Sequence, residues 1–263
     1  MPLLAHAPPS PGPPPHEPSH KRAPRAQLTP RAQLSIERGG HELAPLLARL
    51  ARQFPRLATL ALVPPPSDDS SDPRAIAEFE QALAALPAGC WPAVAAAGPS
   101  WGPPPRAAAQ LPRLCPNPRD VCVGANAAAD LAHDLRAVSA APGLEAVALP
   151  FRPALCADAE GSPEAAAALA ALTGLRRLSV RLGGAGRAGR GAAAELLAAV
   201  APLSRLTALV VSSVDEGLAP PPLRGCPASL VELTLGDAHA CWDARALEGA
   251  LPVPGVTKLR LLG

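Results

Sequence analysis

The chain has 263 residues, of which 36 are Pro, 21 are Gly and only 2% are aromatic, so any core must come from Leu, Val and Ala, and frequent interruption argues against long helices. A formal net charge of +2 is too small to imply a nucleic-acid or membrane partner by itself, and no run of about 18 apolar residues offers a bilayer span. Six cysteines (Cys90, Cys115, Cys122, Cys156, Cys226, Cys241) form no CxxC pair in a chain too long for a small disulfide scaffold, which points to reduced, buried thiols and a cytoplasmic location.

Residues 1–30 hold ten prolines and no apolar periodicity. They lack the roughly 7–15-residue apolar core of a secretory signal and are expected to be a disordered, partly polyproline tail. Lys21, Arg22 and Arg25, against the single acid Glu17, leave organelle targeting as the alternative.

From residue 31 onward one pattern recurs: an apolar residue at i, i+3 and i+5. It is clearest in LRRLSVRL, Leu175 to Leu182. In a short strand the i+3 and i+5 side chains share one face, and the i side chain closes a tight turn behind them. The expected strands begin their pattern at residues 31, 57, 91, 118, 144, 175, 206, 230 and 256, at steps of 24 to 34 residues.

Between them lie apolar faces at helical spacing. In residues 41–53 the positions are Leu43, Leu46, Leu47 and Leu50. In 71–86 Asp72 caps, Pro73 fits the first turn, and Ile76, Phe79, Leu83 and Leu86 line one side. Further helices are expected at 126–138, 163–172, 191–200 and 243–251, whereas residues 99–105 read as a Pro-rich loop and 215–225 as a turn. Strand, loop and helix at such a step describe an α/β solenoid with strands on the inner curve and helices outside.

On these residues the chain resembles the leucine-rich repeat family, and in its irregular steps and outer helices the ribonuclease-inhibitor-like branch that includes the repeat arms of F-box proteins. Gly225 to Leu235, GCPASLVELTL, is similar to the subclass in which a Cys precedes the strand. The resemblance covers about residues 31–263 and implies a non-enzymatic protein-interaction scaffold without cofactor or metal. Its partner would be a protein, with a ubiquitin-ligase adaptor as one such partner. The family's Asn or Cys after the strand occurs once, as Asn126, and the first positions at 31, 91 and 118 are Arg, Trp and Pro. No polar cap follows Leu261, so the expectation is a fragment or an edge covered by another chain.

The candidate binding surface follows from strand alternation: i+2, i+4 and i+6 should face the inner curve. In the C-terminal half these are Arg177, Ser179 and Arg181, then Ala208, Val210 and Ser212, then Glu232, Thr234 and Gly236, and finally Lys258, Arg260 and Leu262. Gln33, Ser35 and Glu37 are the first strand's equivalents. The set is mildly basic with one acid, and its arginines suit the bidentate capture of an acidic peptide.

One rival is the G-x-G-x-x-G of Gly184, Gly186 and Gly189 between an expected strand and helix, with Asp215 after the next strand. Such a loop cradles a dinucleotide pyrophosphate in a nucleotide-dependent oxidoreductase. Here the acid stands 31 residues after Gly184, against about 20 in the fingerprint. Gly98-Pro99-Ser100-Trp101-Gly102 has the letters of a nucleophile elbow, but Pro103, Pro104 and Pro105 deny it the following helix. Asp237, His239, Cys241 and Asp243 lack a second ligand pair for structural zinc, and His133 between Asp130 and Asp134 reads as a solvated helix face. A biased repeat fragment without a selected partner is the third reading, because the inner face is poor in aromatic anchors.

Overall fold

A computed structural model describes residues 31–35, 43–54, 56–63, 73–99, 107–123, 128–151, 162–182, 194–213, 223, 225–237 and 253–262. Among the described residues nine strands form one sheet in chain order: β1 Arg31–Ser35, β2 Thr59–Val63, β3 Ala96–Pro99, β4 Asp120–Cys122, β5 Ala146–Phe151, β6 Arg177–Leu182, β7 Ala208–Ser213, β8 Glu232–Asp237 and β9 Lys258–Leu262. Every neighbouring pair is parallel. Parallel neighbours need a crossover, and helices supply several. Those described are α1 Leu43–Gln53, α2 Pro73–Ala84, α3 Ala107–Leu114, α4 Ala128–Val138 and α5 Ser162–Ala170, each packed on the next. A short helical stretch at 194–198 precedes β7. The fold is an α/β solenoid of leucine-rich-repeat-like arrangement.

Two backbone devices repeat along it. The N–H of the first apolar residue donates to the carbonyl three residues earlier: Leu57 to Phe54, Val94 to Trp91, Leu144 to Ala141, Leu175 to Leu172, Leu206 to Leu203, Leu230 to Pro227 and Val256 to Val253, at 2.9–3.4 Å. Pro118 has no N–H and cannot make this bond. In the next device one carbonyl accepts from two successive N–H groups of the following repeat, so Arg176 O takes Thr207 N and Ala208 N at 2.9 and 3.1 Å. Ala58, Ala95, Arg119, Glu145, Thr207 and Val231 do the same, which carries the backbone pairing past the strand ends.

Side chains then sort by parity. In β6, Leu178, Val180 and Leu182 are buried while Arg177 and Arg181 are exposed. From β2 to β8 the described i, i+3 and i+5 side chains stack into one core with Leu131 and Leu135 of α4 and Ala165 and Leu169 of α5. Each fully buried Leu or Val contributes about 1.5–3 kcal/mol. With so few aromatics, many such increments make the core.

The structure corrects the expected phase twice. Arg31 pairs with Thr59, the i+2 residue of its repeat, so the first unit begins two residues earlier than its spacing suggests. Ala96 pairs with both Thr59 and Asp120, which makes Val94 the first apolar residue of the third unit. Trp91 occupies the place three residues before it, as Leu172 and Leu203 do in theirs, and is buried. A large buried apolar residue three positions before the true start looks like the start itself.

Helix α3 is a further correction, since the sequence pattern assigns nothing between the Pro-rich loop and β4. Pro112 lies inside it, where proline normally breaks a helix. Burial of Ala108, Leu111, Leu114 and Cys115 compensates. So does Arg113, whose guanidinium donates to Leu86 O and Leu83 O (2.5 and 2.6 Å) and caps the C-terminal end of α2, while its Nε donates to Gln110 Oε1 at 3.1 Å. At the other end of α3, Ala109 N donates to Asp134 Oδ1 at 3.2 Å. Asp134 is fully buried there, while its neighbour His133 lies on the solvated face of α4 as expected.

Candidate functional site

The helices cover one face of the sheet, and the opposite, open face carries the i+2, i+4 and i+6 residues. Strand register lines them into rows. The i+2 row runs Thr59, Ala96, Asp120, Ala146, Arg177, Ala208, Glu232 and Lys258. The i+4 row includes Cys122, Ala148, Ser179, Val210, Thr234 and Arg260. Adjacent strands stand about 4.8 Å apart, so each row is a ruler laid across the sheet.

On this ruler Arg177, Arg181, Lys258 and Arg260 are exposed and Ser179 is half-buried. Thr234, expected as a contact residue, is buried between its register partners Val210 and Arg260. Nor is the C-terminal end an open basic patch. Glu232 Oε1 lies 3.1 Å from Lys258 Nζ, its direct register partner, and 3.4 Å from Arg260 Nε, the diagonal one. The hydrogen bond from Lys258, reinforced by the charges of Lys258 and Arg260, holds the Glu232 carboxyl below its ordinary range. Two of the cations expected to meet a ligand thus already meet an acid of their own chain.

Asp120 is a face residue the sequence reading did not single out, although the i+2 rule applied to Pro118 points to it. Burial pushes its carboxyl above the usual range, and the charge of Arg177, two strands away, offsets this in part. Beside it Cys122 is pushed up to about 11, by burial first and the Asp120 carboxylate second. Cys226 rises to about 11 by burial alone, and Cys115 to about 12 by burial and then the nearby Cys90. Cys90, Cys115, Cys122 and Cys226 are free thiols, and thiols held this high stay protonated at neutral pH.

The rival sites fall largely outside the described residues. Gly184, Gly186, Gly189 and Asp215 all do, as do Ser100, Trp101 and Gly102, and so do His239, Cys241 and Asp243 beyond the end of β8. Among the described residues no three His, Cys, Asp or Glu side chains gather as a metal site, and no helix is long and apolar enough to cross a membrane.

No protein-family model and no curated protein matches the sequence. Among solved structures the chain is similar to one described as the crystal structure of a TLR13–ssRNA13 complex, with 14% identity and a TM-score of 0.34. The match covers 79% of this chain and 26% of that one, so the chain spans about a quarter of its length.

Proposed function

We propose that the chain is a protein-interaction scaffold that holds an extended segment of a partner protein across the open face of its sheet. The observation behind this reading is the face itself: parallel strands in unbroken register present ordered rows of polar and small side chains opposite the helix-covered core. A pre-formed surface of this kind lowers the ordering cost of binding a long segment. Binding at equilibrium, with no covalent step, is the whole mechanism.

Within that reading, Arg177 is the cation offered to an acidic group of the partner. A narrower role, the substrate-recognition arm of an F-box-type ubiquitin ligase, draws on the cysteine-containing repeat Gly225 to Leu235. Co-purification with a ligase adaptor tests that role separately.

The broader proposal is tested with the full chain as bait. A variant carrying Ser179→Arg and Ser212→Arg obstructs the open face, and Ala167→Arg, on the exposed side of α5, serves as control. A partner retained by the wild type and the α5 variant but lost by the face variant is the expected result. Equal capture by all three baits contradicts it.

A further inference from the structure

We infer that the open face selects a segment of mixed charge: an extended polypeptide that sets a Lys or Arg side chain on Asp120 and an Asp or Glu side chain on Arg177, about three residues apart. This rests on the reading that the face binds an extended segment, and it names the chemistry of that segment.

The inference starts from two kinds of charge on one face. Glu232, Lys258 and Arg260 form a closed set, with the acid within 3.4 Å of both cations. Asp120 and Arg177 differ. The register neighbours of Asp120 in the i+2 row are Ala96 and Ala146, which carry no side-chain donor. Among the described residues no group donates a hydrogen bond to its carboxylate. Its facing charge is Arg177, across Ala146 and two strand spacings away, about 10 Å along the row. Arg177 is flanked in turn by Ala146 and Ala208 and is exposed.

A half-buried carboxylate is costly unless a cation completes it, and the alanines beside Asp120 leave that place to a ligand. The raised carboxyl of Asp120 agrees: burial outweighs the attraction Arg177 supplies. An extended segment in the polyproline II conformation advances about 3.1 Å per residue with about three residues per turn, so side chains three residues apart share one face at about two strand spacings. Opposite charges at that separation match both groups at once, while a uniformly acidic or basic segment matches one and is repelled by the other. Because Asp120 and Arg177 have opposite signs, they also fix the direction in which the segment lies.

The test uses the full chain and an array of 12-residue peptides. Each holds one Lys and one Glu at separations of one to six residues, in both orders, on a common Ser, Ala and Leu background. Wild-type protein is expected to retain best the peptides with a separation near three, in one order only. Asp120→Asn should weaken that retention by about tenfold or more while leaving thermal stability intact or slightly raised. The double reversal Asp120→Lys with Arg177→Glu should prefer the opposite order, and Arg177→Gln provides a milder probe if the reversal does not fold.

If peptides are retained and Ser179→Arg abolishes retention, but charge order and separation have no effect, the mixed-charge inference falls and the open-face reading stands. If neither Ser179→Arg nor the charge variants change retention, both fall. Retention of no peptide by the wild type also overturns the inference.

Discussion

Leu235 in β8 and Leu261 in β9 hold the same place in their repeats, pair directly in register, and differ almost completely in exposure, at 1% and 57%. Leu233 and Leu259 repeat the contrast, at 0% and 44%. The sequence pattern determines which face a side chain takes. Burial requires a neighbour on each side, which β6, β7 and β8 have and which β9, among the described residues, does not. In a stacked structure stability therefore grows from interfaces between units more than from any unit alone. Identical letters carry different free energy according to their place in the stack.

Cavity-forming substitutions give the largest break in this comparison. Leu209→Ala, at a fully buried position of β7, is expected to cost about 2–5 kcal/mol, whereas Leu261→Ala should cost less than about 1 kcal/mol. Urea unfolding midpoints measure both. Equal losses would mean that the last strand is packed as tightly as the interior.

Arg113 offers the next effect, because it bonds one repeat to its neighbour. Arg113→Met removes the donors to Leu83 O and Leu86 O and should cost about 1.5–3 kcal/mol by the same measurement. A loss no larger than a surface substitution would show that solvent caps the C-terminal end of α2 equally well.

Two glycines that precede a first apolar residue sharpen the comparison further. Gly255 has φ +87°, and a Cβ there would stand 2.5 Å from Ala228 O, so Gly255→Ala should cost about 1–3 kcal/mol. At Gly174 the nearest atom, Leu144 O, would be 3.7 Å away, and Gly174→Ala should stay within about 0.5 kcal/mol. The exposed end of the stack is thus the more sensitive at this one position, the reverse of the leucine series.

The smallest expected effect is electrostatic. The Glu232 carboxyl is depressed in the folded protein by Lys258 and Arg260. Its contribution is therefore complete above the ordinary carboxylate range and is lost as pH falls through the lower, folded-state value. Acidification should loosen β9 from β8 and leave β6 and β7 unchanged, which amide exchange at two pH values resolves. Glu232→Gln should remove the difference.

Much of this arrangement is legible in the residues. The recurrence of Leu at i, i+3 and i+5 sets strand number, order and the buried face, because strand parity leaves few alternatives. Phase was less accessible at Trp91, where a buried residue of the preceding turn imitates the first position. Helix α3 was hidden by Pro112, since the donors and buried contacts that hold it come from α2 and α4, remote in sequence. On the face, Arg177, Lys258 and Arg260 lie where parity places them. Whether a charge is already answered depends on register between strands, which is why the closure of Glu232 on Lys258 and the position of Asp120 two strands from Arg177 emerge only with the sheet assembled.

Native-state hydrogen exchange on the full chain tests the central claim, that protection accumulates through neighbours and not within a repeat. The account predicts slow exchange for amides of β6 and β7, bounded on both sides, and exchange faster by orders of magnitude for β9. Protection of β9 equal to that of β7 would contradict it.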